Sequence, residues 1–352
     1  MIRPMVLCAC LLVAGPAAAD TYCVATPAQF LSAVSNANAS PEDSFINVVT
    51  GVYDFNAPTG AAAIQISGNS SLTIAGGFQP GCPAGVTVNP EQTLLRVANT
   101  GQLMQISFLA GSSNNVTLTR LGFRQGQAST STTAGCITAE GDVGASGRLA
   151  LIYTAFRLCS STSTTSALRV LGRGLDLDLR NSVFADNASQ GGVIALAMQS
   201  DSVFHLTNNT IAFNPRTNSV VTGPAGIQMN MLGTSAFLWM INNVVYGNGS
   251  GTDTDVLFNS DIVGVANHNI IGRRNPFPAS LAESSNSNLN PLLASSVDLR
   301  PRANSPLRNA GNNAAPIGLP TIDLDGSPRP QGGRYDIGAY EFGELYSDGF
   351  ED

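Results

Sequence analysis

Lysine is missing from this chain of 352 residues; all 17 basic side chains are arginine. Schiff-base chemistry and a lysine general base are thereby excluded. Charged residues make up only 12% of the chain, with one tryptophan and two histidines. Nucleophilic catalysis lacks a constellation, because no Gly-x-Ser-x-Gly elbow is present. The glycine-rich stretches "GRGLDLD" and "IAGGF" do not form the strand-loop-helix cradle that holds phosphate. A net charge of −7 without any basic cluster makes nucleic acid a poor partner. Beyond the N-terminus no stretch approaches the ~20 apolar residues needed to span a bilayer, so no transmembrane segment is expected.

What is present is a chain 43% hydrophobic, with 36 glycines and abundant Asn, Ser and Thr, and no long helical pattern. That mixture favours many short strands joined by tight turns. At the N-terminus Arg3 precedes the apolar run "MVLCACLLVAG", and "AAA" at 17 to 19 supplies small residues before Asp20. This reads as a Sec-type signal peptide over residues 1–19, and hence a secreted, periplasmic or cell-surface protein. The competing reading is a lipid anchor on Cys10. Removal of the signal leaves Cys23, Cys82, Cys136 and Cys159, an even number in an oxidising compartment. The expected disulfides are Cys23–Cys82 and Cys136–Cys159, the second because 23 residues can place two sulfurs on neighbouring turns of a coil. Zinc is the alternative, but its usual CxxC or nearby His spacing is missing. No metal and no other cofactor is expected.

One ten-residue frame recurs along the chain. "DLRNSVFADN" (178–187) returns as "HLTNNTIAFN" (205–214), "WMINNVVYGN" (239–248) and "GVANHNIIGR" (264–273), with looser copies at 117–126 and 150–159. Alignment puts Leu118, Leu151, Leu179, Leu206, Met240 and Ala266 in one apolar column. Phe123, Phe156, Phe184, Ile211, Val245 and Ile271 form a second, stepping by 33, 28, 27, 34 and 26 residues. Loops of unequal length between equivalent strands give that drift. Asn181, Asn208 and Asn242 form a third column, and Asn187, Asn214 and Asn248 a fourth. In "LDLDLRN" (175–181) the leucines alternate with Asp176, Asp178 and Arg180, which is a strand period and not a helical one. The pattern predicts an all-β parallel solenoid whose asparagines mark the corners of successive coils and hydrogen-bond one to the next.

A solenoid needs its ends covered. In "TPAQFLSAVSNAN" (26–38), Thr26 is placed to cap a helix that begins at Pro27, with Phe30, Leu31 and Val34 on its apolar face. Strands are expected at 46–53, 62–67 and 71–78. The expected division is a cap over 20–45, coils over 46–285, a Pro- and Asn-rich C-terminal cap over 286–342, and a tail over 343–352.

The segment "VDLRPRANSPLRNAGNNAAPIGLPTIDLDGSPRPQGGRYDIGAYE" (297–341) resembles the C-terminal region of bacterial exported choice-of-anchor Q domain proteins, through its "SP…AG", "DLDGSPRP" and "DIGAYE" elements. "SLTIAGGFQPGC" (71–82) is similar to early coils of that group, and "LYSDGFED" to tails of exported gammaproteobacterial proteins. The resemblance implies a single right-handed parallel β-helix of the pectin-lyase-like class. It implies fold and location more than activity. Asp323, Asp325, Arg329, Asp336 and Glu341 match the group's motif and are read as capping turns and ion pairs.

Candidate chemistry lies on the outer faces. Asp178, His205 and Trp239 share one alignment column, with Arg180 two residues from Asp178, so an acid, an imidazole, an indole and a guanidinium could line one groove for carbohydrate. Against this, "FLWMI" (237–241) is apolar on both faces, which would bury Trp239 under a loop. Asp176 and Asp178 meet the carboxylate spacing of a glycosidase, as any i, i+2 pair on a strand does. Asp253, Asp255 and Asp261, like Asp323 and Asp325, lack the ordered ligands of a calcium loop. The sequence favours a monomeric, non-catalytic protein that contacts extracellular polysaccharide. The alternatives are a polysaccharide lyase or hydrolase, and an adhesin or structural rod.

Overall fold

The computed structural model describes residues 19–130, 132–162, 165–199, 201–217, 223–233 and 235–343. All of the expected signal peptide except Ala19, and the tail beyond Gly343, lie outside these residues. The chain winds into a right-handed parallel β-solenoid of about seven turns. A complete turn has three strands, as in Asp176–Arg180, Val183–Ala185 and Ile194–Met198. The next turn repeats them as Val203–Thr207, Thr210–Ala212 and Pro224–Met231. Three faces result, each built of parallel strands from successive turns. The third face is a seven-stranded sheet of its own.

Register explains the recurring frame. Leu118, Leu151, Leu179, Leu206, Met240 and Ala266 pair in that order across five ladders. All six are fully buried. The second column pairs likewise, from Phe123 through Phe156, Phe184, Ile211 and Val245 to Ile271. Its rings stack inside the coil, Phe123 on Phe156 at 4.8 Å and Phe156 on Phe184 at 4.4 Å. Stacking of like on like follows from parallel strands about 4.8 Å apart.

The corner between the first and second faces turns on one residue per coil in the left-handed region. Arg120, Tyr153, Asn181, Asn208, Asn242 and His268 hold φ between 50° and 58° there. Asparagine tolerates this conformation best among non-glycine residues. The expected strand at 46–53 is divided at Thr50: Ser44–Val49 lies on the first face and Gly51–Phe55 on the second.

Two ladders of buried asparagine run beside the corners. Asn187 donates both its backbone N–H and its Nδ2 to Asn214 Oδ1, at 3.0 and 2.9 Å. Asn214 repeats this on Asn248, and Asn248 on Asp255. A second ladder runs through Asn209, Asn243, Asn269 and Asn286. Each amide also reaches back to the carbonyl of an interior-column residue one coil earlier. Asn187, Asn214 and Asn248 donate to Phe156, Phe184 and Ile211, while Asn209, Asn243 and Asn269 donate to Leu179, Leu206 and Met240. The predicted column of Asn187 is therefore a true ladder. The column of Asn181, Asn208 and Asn242 is not: only Asn242 reaches its neighbour, at 3.4 Å.

The N-terminal end is covered by the helix Pro27–Ala39, with Thr26 Oγ1 accepting from the N–H of Gln29 and Gln29 Oε1 accepting from that of Ala25. The arrangement is a variant of the capping box, with the N3 side chain reaching the N–H one residue before the cap. The buried stripe is Phe30, Ala33, Val34 and Ala37, whereas Leu31 is 41% exposed. Leu31 was expected inside; the true i, i+3, i+4, i+7 stripe excludes it. At the other end the chain crosses over the last coil, with Asn275 bracketing the backbone of Phe258 and the ring of Phe277 5.6 Å from that of Phe258. From Ser287 onward the irregular C-terminal segment runs back along the flank. Its Leu293, Leu299, Leu307, Leu324, Ile337 and Ala339 pack on Val183, Ala185, Ala212, Val244 and Ile270 of the second face. That face is thus buried on both sides, which accounts for its nearly continuous apolar runs.

Buried polar groups fix the flank segment. Arg329 lies fully buried with Nε 3.1 Å from Glu341 Oε2 and Nη2 donating to Gly338 O at 2.8 Å. Asp323 accepts from the N–H groups of Asp325, Ser327 and Glu341. Asp336 accepts from those of Asn309 and Phe342, and Asp325 pairs with Arg300. The motif residues therefore hold turns and ion pairs, as the sequence reading gave. Disulfides join Cys23 to Cys82 and Cys136 to Cys159, with Cα separations of 5.8 and 5.6 Å. The second links two successive turns inside the core. No helix among the described residues is long and apolar enough to cross a membrane.

Candidate functional site

On the first face, residues alternate inward and outward along each strand. Leu177 and Leu179 point into the core, so Asp176, Asp178 and Arg180 point out. Register then places Ala150, Asp178, His205, Trp239 and Val265 in one outward row. The sequence-predicted acid, imidazole and indole do come together, with Arg180 on the same strand as Asp178.

Asp178 departs from expectation. It was placed on an open groove, yet its side chain is 0% exposed. Two guanidinium groups cover it: Arg148 Nη2 lies 2.5 Å from Oδ2, and Arg180 Nε lies 2.8 Å from Oδ1. Only the Arg148 contact has hydrogen-bond alignment; the Arg180 contact is an ion pair by distance alone. A buried carboxylate needs such partners to remain ionised. Arg180 is anchored further by Nη1 on Ile317 O at 3.5 Å, a carbonyl of the flank segment. Arg148 keeps 41% of its side chain exposed and presents the outer surface of the cluster.

Sequence reasoning missed Arg148. It belongs to the previous coil, opposite Asp176, and reaches Asp178 diagonally. The signal was available, because Arg148 aligns with Asp176 once the coil frame is laid out. Asp176 itself accepts from the N–H of Val203 at 2.7 Å, and burial raises its carboxyl above the ordinary value.

His205 and Trp239 are half-buried, so Trp239 is not sealed from solvent. Their ring planes are parallel within 2°, with centroids 6.4 Å apart, and Phe237 tilts against the indole at 5.0 Å. These separations fall within the range of favourable aromatic contacts. Burial lowers the imidazole pKa below its ordinary 6.5; Asp178 opposes this, while Arg148 and Arg180 add to it. Its Nδ1 has no hydrogen-bond partner.

Other candidates separate. Asp253 binds Arg216, Gly223 N and Ser250; Asp255 ends an asparagine ladder; Asp261 holds Ser280. Among the described residues no group of three or more His, Cys, Asp or Glu is arranged to hold a metal. The larger clefts lie elsewhere, one of about 480 Å³ beside Asn99 and Gln127 and one of about 630 Å³ beside Arg302 and Phe342. No protein-family model matches the chain, and neither does any curated protein.

Proposed function

We propose that this chain is an exported, non-catalytic β-solenoid that contacts extracellular polysaccharide through the outer side of its first face. The observation that carries the reading is the half-buried His205–Trp239 pair set beside Arg148 and Arg180, whose guanidinium groups are held by a sealed carboxylate. Aromatic rings offer apolar area to the C–H face of a sugar, and fixed N–H donors select hydroxyls. Acid–base cleavage would need two carboxylates reachable from solvent across a glycosidic bond. Asp178 is inaccessible and Asp176 is engaged by Val203, so neither supports that role. Two disulfides fit an oxidising destination. The C-terminal likeness to choice-of-anchor Q proteins supports the same location.

A broad glycan screen that scores both retention and cleavage tests this. Wild-type protein is expected to be retained without releasing product, and Trp239→Ala to lose at least about tenfold in retention, of the size expected for a central aromatic contact. Release of unsaturated or reducing ends by the wild type would replace the binding reading with an enzymatic one.

A further inference from the structure

We infer that the polysaccharide held at this cluster is uncharged. The inference rests on the glycan-binding reading of the same face and names the class of glycan. Four charged side chains meet there, Arg148 and Arg180 against Asp176 and Asp178, so the formal charges cancel. Neither arginine is free to trade its partner for a ligand anion. Withdrawing them from Asp178 would leave a carboxylate with no solvent exposure unpaired, a cost of the kind that breaks buried ion pairs.

Among the described residues, the next two strands and the flank loop add no compensating positive charge. Outward neighbours on the next two strands are Val203, His205, Thr207, Phe237, Trp239 and Ile241. The flank loop that meets Arg180 at Ile317 contains no charged residue from Asn312 to Thr321. Burial lowers the His205 pKa, Asp178 opposes this, and the two arginines add to it, so the imidazole is not a compensating cation. The whole chain carries −7, which repels a polyanion at long range. What the cluster does offer is unspent N–H donors on guanidinium and indole beside aromatic surface, which suits a hydroxyl-rich, neutral chain.

The test compares retention of the full protein on neutral hexose polymers and on uronate or sulfated polymers, at low and high salt. Neutral polymers are expected to be retained with less than about a twofold change between salts, since screening acts on exposed charge. Retention confined to anionic polymers and lost at high salt would overturn the inference while leaving glycan binding in place. No retention on any polymer would overturn both. Asp178→Asn gives the cluster a net positive charge and is expected to add retention of anionic polymers. Asp176→Asn makes the same charge change at a less buried position and serves if the first variant does not fold. A folded Asp176→Asn protein that still ignores anionic polymers would count against charge cancellation as the selecting feature.

Discussion

Asn208 and Asn209 are the same residue type one position apart, and both are fully buried, yet their amides run in different directions. Asn209 points along the solenoid axis, binding Asn243 of the next coil and the carbonyl of Leu179 in the previous one. Asn208 takes the left-handed corner at φ 55° and points sideways, donating to the carbonyls of Asp336 and Gly338 in the flank segment. Asn242 and Asn181 point the same way, to Asn312 and Ile322. A ladder asparagine is satisfied by coils that any neighbour supplies. A corner asparagine depends on a segment 70 to 141 residues away in the chain. The first kind of contact is repeated and local to the stack; the second is a seam.

The comparison can be broken at several points. The largest effect is expected from Arg329→Ala, which removes the cation buried among Asp323, Asp336 and Glu341 and costs the seam about 3–5 kcal/mol, the usual penalty for breaking a buried pair. Limited proteolysis should then cut within residues 286–341 while the coils resist; equal sensitivity of both would dissolve the distinction. Asn214→Ala leaves ladder donors of Asn187 unpaired and should cost about 2–3 kcal/mol of global stability in urea unfolding. Loss confined to the seam would contradict the assignment. Asn208→Gly keeps the left-handed conformation while removing the amide, and should cost about 1 kcal/mol. Asn208→Ala should cost about 1 kcal/mol more, because alanine resists that conformation.

The smallest effect is on pH. Burial pushes Glu341 up from 4.5 to about 7, with Arg329 opposing. A carboxyl whose folded pKa exceeds its unfolded value takes up a proton on folding, so its contribution is full below pH 4.5 and is lost as pH rises through about 7. The seam should therefore be cut more readily at pH 8 than at pH 5.5, and Glu341→Gln should flatten that difference. A seam equally resistant at both values would show that Glu341 does not change its protonation between them.

The interior columns were legible in the sequence because parallel stacking repeats the same apolar residue at the same frame position, as at Leu118 to Leu206. The ladder of Asn209, Asn243 and Asn269 was hidden by the Asn-Asn pairs at 208–209 and 242–243: composition does not say which of two neighbours turns inward until the left-handed corner is placed. The seam was also invisible, since leucines of the flank segment carry no coil frame to align them. At the candidate site, Asp178, Arg180, His205 and Trp239 were found by their spacing. Sealing of Asp178 was missed because its main partner, Arg148, lies 30 residues earlier and meets it on a diagonal.

The seam also imposes an order of events on a chain that is synthesised from its N-terminus. Coils can zip up one upon another as they emerge, but Val183, Ala212 and Val244 must wait with their outer apolar sides wet until the last stretch arrives; Ala339 meets Thr210 across 129 residues. During that interval the half-dressed rod presents a greasy stripe to every neighbour, and truncation before Leu293 would make the interval permanent.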